Sequence, residues 1–498
     1  MFIALLCLSG VMSLSAQTTD TTLVYRVEMS GNVSSGDYAP LWFTANRNGL
    51  SSAEDNSGYL RAGITYNKSF KHRWHIAAGL DLAGAVNSAS DFIVQQAYFD
   101  VSWRVLSLSI GSKERNPLGK NPQLSSGGMV EGNNTRPVPQ IRAGIEDYYT
   151  VPGTKGWFAF KGYIAYGRFT DDDWQEDFAG SQHQTYVTHV LYHSKELMLK
   201  VGNKKKFPLE VEFGLLMSAQ FGGNQHSFSY VDGEWVETIT KMPHALKNYA
   251  KVFFGKSGDE DTPVGDQVNV EGNHMGSWNF ALNYYWRDWK FRVYLEHYFE
   301  DHSQMFLEYG RWKDGQLGFE ITLPKNPYVG TLLWECMATK DQSGPILYDG
   351  DSRFTNVAYP GTQISAGDNY YNNYFYQSWA HYGYGMGNPL LAGPIYNTDG
   401  SLYFSSNRAR AHHVGVSGSP TNEWGYRVLL SYSQQWGTYE DPFDEVLSQF
   451  SSLYEVTYSP KFWKGWHFTI AGAIDRGDYI GNSGGAMITI KKEGICLK

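Results

Sequence analysis

Residues 278–300 read WNFALNYYWRDWKFRVYLEHYFE, and the alternation inside this stretch decides the fold. Successive side chains of a strand point to opposite sides, so Trp278, Phe280, Leu282, Tyr284 and Trp286 share one face. Arg287 and Asp288 supply a turn, after which Phe291, Val293, Leu295, His297 and Phe299 return on a matching face. The opposite face of the return carries Lys290, Arg292, Tyr294, Glu296, Tyr298 and Glu300. That much charge is costly toward lipid and suits a water-filled lumen, the arrangement of a membrane-spanning β-barrel.

The same pattern recurs outward in both directions. Leu60, Ala62, Ile64 and Tyr66 alternate with Arg61, Gly63, Thr65 and Asn67, and a polar connection at 69–73 leads into a second run over 74–84. There Trp74, Ile76, Ala78, Leu80 and Leu82 oppose His75, Ala77, Gly79, Asp81 and Ala83. Segments 96–103 and 106–110 follow, and similar ones lie at 23–30, 141–148, 157–167, 185–192 and 209–217. Others lie at 317–323, 331–339, 413–418, 425–432, 453–458, 466–474 and 486–491. Any single segment fits a half-exposed strand of a soluble sheet. Together they keep an apolar face fringed by Trp and Tyr, which predicts an all-β, large antiparallel transmembrane barrel of about 18 strands.

Composition agrees. A chain of 498 residues suggests about three soluble domains of roughly 150 residues, yet no linker-like stretch divides it. Aromatics make up 16%, with 35 Tyr, 27 Phe and 16 Trp, against 18% charged residues, as aromatic girdles at two membrane interfaces require. The net charge of −9 argues against a nucleic-acid partner. The short basic runs Lys204–Lys206 and Lys491–Lys492 read as solvated strand ends. No run of 18 apolar residues signals a transmembrane helix.

Residues 1–17, MFIALLCLSGVMSLSAQ, have the apolar run and small residues of a secretory signal, with cleavage expected after Ala16. Cys7 is not in a lipidation context, since the bulky Leu6 precedes it. The segment from residue 17 to 498 then reads as one barrel domain placed in the outer membrane. Cys336 and Cys496 show no ligand spacing and are expected to be free. The chain finishes Ile495-Cys496-Leu497-Lys498, which departs from the aromatic ending of many barrels.

Long connections are expected at 113–139, 219–276 and 341–405. Within the second, MPHALKNYAKVFFG (242–255) places Ala245, Tyr249, Val252 and Phe253 at helical spacing, predicting a short helix packed on or in the barrel. Within the third, DNYYNNYFYQSWAHYGY (368–384) interleaves eight aromatic residues with Asn369, Asn372, Asn373 and Gln377. Rings stack on the C–H faces of sugars and amides bond their hydroxyls, so this mixture suits a carbohydrate site. It equally suits an aromatic cluster that packs a large loop onto the barrel mouth. The sequence holds no HExxH or phosphate-loop motif, and no zinc spacing. Glu300, Asp301, His302 and Ser303 are adjacent acid, base and nucleophile types, whereas triads assemble from separated positions. His412-His413 would need further ligands from elsewhere to hold a metal. The expectation is therefore a protein with no enzymatic activity, no cofactor and no metal.

Five stretches together resemble the capsule assembly Wzi family in its Bacteroidetes-type version. They are GSKERNPLGKNPQLSSGGMVEGNNTRPVPQIRAG (111–144), GDQVNVEGNHMGSWNF (265–280), YFEDHSQMF (298–306), TKDQSGP (339–345) and DNYYNNYFYQSWAHYGYGMGNPL (368–390). The resemblance implies an 18-stranded outer-membrane lectin that holds newly exported capsular polysaccharide at the cell surface, with a helical element on the barrel. Its implied partners are surface polysaccharide, outer-membrane lipid and polysaccharide export machinery. Chemistry nominates Tyr371, Asn372, Asn373 and Trp379 for sugar contact, and the family-like stretch adds Arg136 and Gln140. The alternative is a porin-like channel for sugars or small polar solutes.

Overall fold

The computed structural model describes residues 21–497 except 264–265, 268–269, 302–304, 306–313 and 346–364. The expected signal segment 1–16, together with His302 and Ser303, lies outside the described residues.

Eighteen antiparallel strands close into one barrel in which each pairs with its neighbours in sequence. The first six are Thr21–Gly36, Gly58–Ser69, Trp74–Val86, Phe92–Trp103, Leu106–Ser112 and Gln140–Thr150. The next six are Phe158–Arg168, Leu191–Gly202, Leu209–Phe221, Asn273–Trp286, Trp289–Glu300 and Gly315–Thr322. The last six are Thr331–Ala338, Ala409–Gly418, Trp424–Gly437, Pro442–Tyr458, Trp466–Gly477 and Ser483–Leu497. The first and last strands form the closing seam, from Val24 opposite Ile495 to Gly36 opposite Ser483. Closure leaves no unpaired edge, which a sheet in hydrocarbon requires.

The faces follow the alternation. Leu60, Ile64, Leu80, Phe280 and Val293 are exposed on the outer wall, while Arg61, Asp81, Tyr294 and Glu296 are buried inside. In the quoted hairpin Trp286 pairs with Trp289 across the two-residue turn, where Arg287 takes a φ of 52°. One end of the barrel has only short turns and both described termini, and it carries exposed Trp74, Trp103, Trp157, Trp286, Trp424 and Trp466. Short turns mark the periplasmic end, and this ring of Trp forms its interfacial girdle. Among the described residues no helix is long and apolar enough to cross a membrane; the strands do so.

Three expectations need correction. The segment 185–192 is not a barrel strand: Tyr186–Thr188 joins a small extracellular sheet with Asn224–Val231 and Glu234–Lys241, and the wall strand is Leu191–Gly202. Its outer face carries His193 and Lys195, which break the apolar pattern, and the helix Leu246–Phe254 covers them. The Lys195 ammonium donates to the Phe253 carbonyl, and His193 stacks on Tyr166 at 4.5 Å. That helix is shorter than expected and lies on the outer wall, with Tyr249 and Val252 packed on Ala219, Phe221 and Leu191. The strand expected at 96 begins at Phe92, because a bulge at the buried Gln95 shifts the register.

Candidate functional site

An 18-stranded ring is wide enough for an aqueous channel, so what occupies its interior governs its use. Here three extracellular connections turn inward and fill it. The first, after Gly36, contains the one-turn helix Leu41–Thr44, all four of whose residues are buried. Its Leu41 amide donates to the Asp475 carboxylate of the wall at 2.7 Å, and Trp42 packs against His413.

The second is 113–139. Lys120 forms a 2.8 Å ion pair with Glu296, and the Asn121 side-chain amide donates to Glu320 at 2.9 Å. Ser125 and Ser126 both reach Glu335, whose carboxylate accepts from the Ser125 hydroxyl (2.6 Å), the Ser126 amide (2.7 Å), the Ser126 hydroxyl (2.7 Å) and the Tyr294 hydroxyl. These wall carboxylates sit on the inner face, where buried polar groups need partners, and the loop supplies them.

The third connection contains the aromatic run. Two tight turns, Asn372–Asn373 paired with Gln377–Ser378 and Ala380–His381 paired with Tyr384–Gly385, fold it into a compact pad. Tyr371, Gln377 and Tyr382 hold positive φ (66°, 63° and 53°), a sparsely populated region that the surrounding packing must impose. The Trp379 indole N–H donates to the Val130 carbonyl at 2.7 Å, and the Tyr371 hydroxyl donates to the Met129 carbonyl. One apolar core joins these residues to Trp42, Leu124, Met386 and Phe404, and to inward side chains from Tyr163 round the wall to Met487.

The nominated residues therefore separate into two groups. Tyr371 and Trp379 are 1% and 0% exposed, and neither ring offers a face to a sugar in this arrangement. Asn372 is buried and exchanges hydrogen bonds with the Phe404 backbone, and the Asn373 side chain accepts from the Phe375 and Tyr376 amides. The run packs the loop into the lumen rather than onto the mouth; of its rings Tyr374, 83% exposed, projects furthest. Arg136 and Gln140 lie at the edge of that core. They line one cavity of about 90 Å³ with Lys113, Arg115, Glu131 and Arg142. Arg136 stacks over Tyr382 and donates to Ser90 at 3.0 Å, and burial pushes its guanidinium down from the usual range.

The chemical motifs resolve differently. The Glu300 carboxylate is enclosed, accepting from the Tyr298 hydroxyl at 2.5 Å and the Tyr371 amide at 2.7 Å. Both ring nitrogens of His413 are engaged, with Ser431 and the Leu124 carbonyl at 2.7 Å each, while His412 faces outward onto Trp334. Cys336 and Cys496 are free. Toward the periplasm the lumen remains open, as a cavity of about 660 Å³ lined by Arg47, Gln123, Arg427, Glu455 and His467.

The plug has a pH-dependent margin. Asp314 accepts from the Gln342 amide (2.6 Å), the Asp341 amide (3.2 Å) and the Tyr370 hydroxyl (3.1 Å), yet burial pushes its carboxyl up to about 6. Burial does the same to Asp368, also to about 6. Acids raised on folding bind protons preferentially in the native state, so stability grows as pH falls through 6 and declines as it rises back. Hydrogen exchange at the Gln342 amide, corrected for intrinsic rate, should show about tenfold greater protection at pH 5 than at pH 7.5. Asp314→Asn should flatten that difference; an unchanged profile would remove Asp314 as its source.

One feature lay outside the nominated set. Asp232-Gly233, with φ of 52° and 94°, turns the hairpin Asn224–Lys241 above the rim and displays Tyr230 and Trp235, with the half-buried Phe228 below them. Asp-Gly between alternating residues is a strong hairpin signal and was legible in the sequence.

The fold has known counterparts. Wzi, an outer-membrane protein involved in group 1 capsule assembly in Escherichia coli and a carbohydrate-binding β-barrel, superposes over 93% of this chain and 83% of its own, with TM-score 0.54 and 13% identity. This chain is an outer-membrane β-barrel. The outer membrane protein OpdK from Pseudomonas aeruginosa aligns over 96% of this chain and 99% of its own, with TM-score 0.47 and 8% identity. OprD from the same organism aligns over 96% of each chain, with TM-score 0.46 and 8% identity. No protein-family model matches the sequence, and no characterised protein matches it significantly by sequence.

Proposed function

We propose that this barrel binds a surface polysaccharide and keeps it attached to the cell, as a member of the capsule assembly Wzi family acting by binding rather than catalysis. The observation that carries this reading is the filled lumen. Three connections and one continuous core occupy the interior, which favours a closed platform over a conduit. The shared architecture with a carbohydrate-binding barrel supports it, as does the order of the family-like stretches along the chain. Enclosure of Glu300 within the plug core gives no opening for chemistry there.

Deleting the gene in its host should shift polysaccharide from the cell-attached to the released fraction, and the wild-type gene should restore attachment. Unchanged attachment would end the capsule reading. The second reading, a channel for small polar solutes, has the 660 Å³ periplasmic cavity in its favour. Steady single-channel conductance of the wild-type protein in planar bilayers would bring that reading forward.

A further inference from the structure

Above the rim, aromatic rings form a file that leads from the plug to open solvent. Tyr186 is buried against Trp174, Tyr382 and Leu402 at the top of the plug. His226 stacks on Tyr186 with centroids 4.4 Å apart and planes 10° apart, and Phe228 lies 6.2 Å from the same ring. His183 meets the edge of Phe228 at 5.6 Å and stacks on Trp235 at 4.5 Å and 11°. Tyr230 closes the file, 5.3 Å from Trp235.

Strand geometry places these rings together. His226, Phe228 and Tyr230 alternate along one arm and face Ile239, Glu237 and Trp235 on the other. Exposure rises along the file, reaching 50% at Trp235 and 63% at Tyr230. Each arm has eight residues, so the platform is roughly 26 Å long. Nothing in the plug requires the outer rings: every residue from 229 to 241 is exposed. Solvent-facing Trp and Tyr at the end of an ordered stack are poorly accounted for by folding alone.

We propose that this file is the stacking platform for an uncharged glycan chain, which deepens, and rests on, the polysaccharide-binding reading above. Flat rings with polar tips accept the C–H faces of successive sugars. Glu237 fixes His226 through a 2.6 Å contact while its side chain stays 40% exposed, leaving carboxylate oxygen free to accept sugar hydroxyls. Asp232 lies in the turn and Glu234 follows it. This acidic fringe repels uronates and the phosphates of a lipid surface, and it selects an uncharged chain.

The test uses the full-length protein in detergent micelles and polysaccharide released from the host surface, separated by anion exchange into neutral and acidic fractions. The neutral fraction should bind the wild type. Trp235→Ala/Tyr230→Ala should weaken that binding about 10- to 100-fold, with Trp235→Phe retaining most of it. Because both side chains are exposed, the heat-dependent gel migration that reports a closed barrel should not change, which separates lost binding from lost folding. Undiminished binding by the double variant overturns the platform and leaves the polysaccharide reading intact. Binding of the acidic fraction alone overturns the uncharged class. A wild type that binds neither fraction overturns both readings. A wild-type dimer that the double variant converts to monomer would reassign the rings to a contact between two copies.

Discussion

Replacing Glu335 by alanine is expected to release the plug while leaving the wall closed. Glu335 sits on an inner face at 1% exposure and gathers four donors, three of them from Ser125 and Ser126. Alanine leaves those neutral donors buried without an acceptor, at a cost of about 1–3 kcal/mol for each that finds no other partner. The wall ladder is backbone to backbone, with Glu335 opposite Gly318 and His413, and does not depend on the side chain. Protease cleavage within 113–139 and stepwise bilayer conductance should rise together above their wild-type levels. Glu335→Gln, which keeps one acceptor oxygen, should fall between. Wild-type protection in the alanine variant would show that the apolar core alone retains the plug.

Gly415→Val is expected to have a comparable effect by the opposite route. An ideal Cβ at Gly415 would stand 2.6 Å from the Leu124 carbonyl oxygen and 2.8 Å from the Leu124 Cβ. Backbone oxygen cannot swing aside as a long side chain does, so the loop must move. Overpacking of this kind typically costs about 1–3 kcal/mol, and here it also disturbs the 2.7 Å contact between His413 and that same carbonyl. Thermal unfolding followed by plug proteolysis should register the loss. Barrel migration on gels should be preserved, since residue 415 adds only a side chain to an intact strand. A variant with unaltered plug protection would mean that Leu124 is held less firmly than its contacts imply.

The wall was legible because lipid demands one thing of every strand, an apolar outer face, and a period of two cannot hide that demand. It failed where a local cover or a bulge changed the demand. His193 and Lys195 look wrong for lipid until the helix Leu246–Phe254 is seen lying over them. Gln95 looks out of phase until the bulge is seen. The aromatic run at 368–384 was visible, but its direction was not. Tyr371 and Trp379 carry the same chemistry whether a ring meets a sugar or meets Val130, and the choice depends on where the loop 113–139 has gone. The exposed platform was the reverse case. Trp235 and Tyr230 are ordinary strand residues by composition, and what marks them is a neighbour, His183, more than 40 residues earlier.

The anchors of the second connection carry a consequence for assembly order. Ser125 reaches Glu335 across 210 positions of chain, Met129 reaches Glu296 across 167, and Trp379 reaches back to Val130 across 249. Neighbouring wall strands pair early and locally, whereas these contacts wait for most of the polypeptide to be threaded into place. The seam asks for more still, since Val24 meets Ile495 across 471 positions, so by the same argument these loop contacts form before the ring closes. A plug seated before the last strand docks means that the envelope is never opened by a vacant ring of 18 strands.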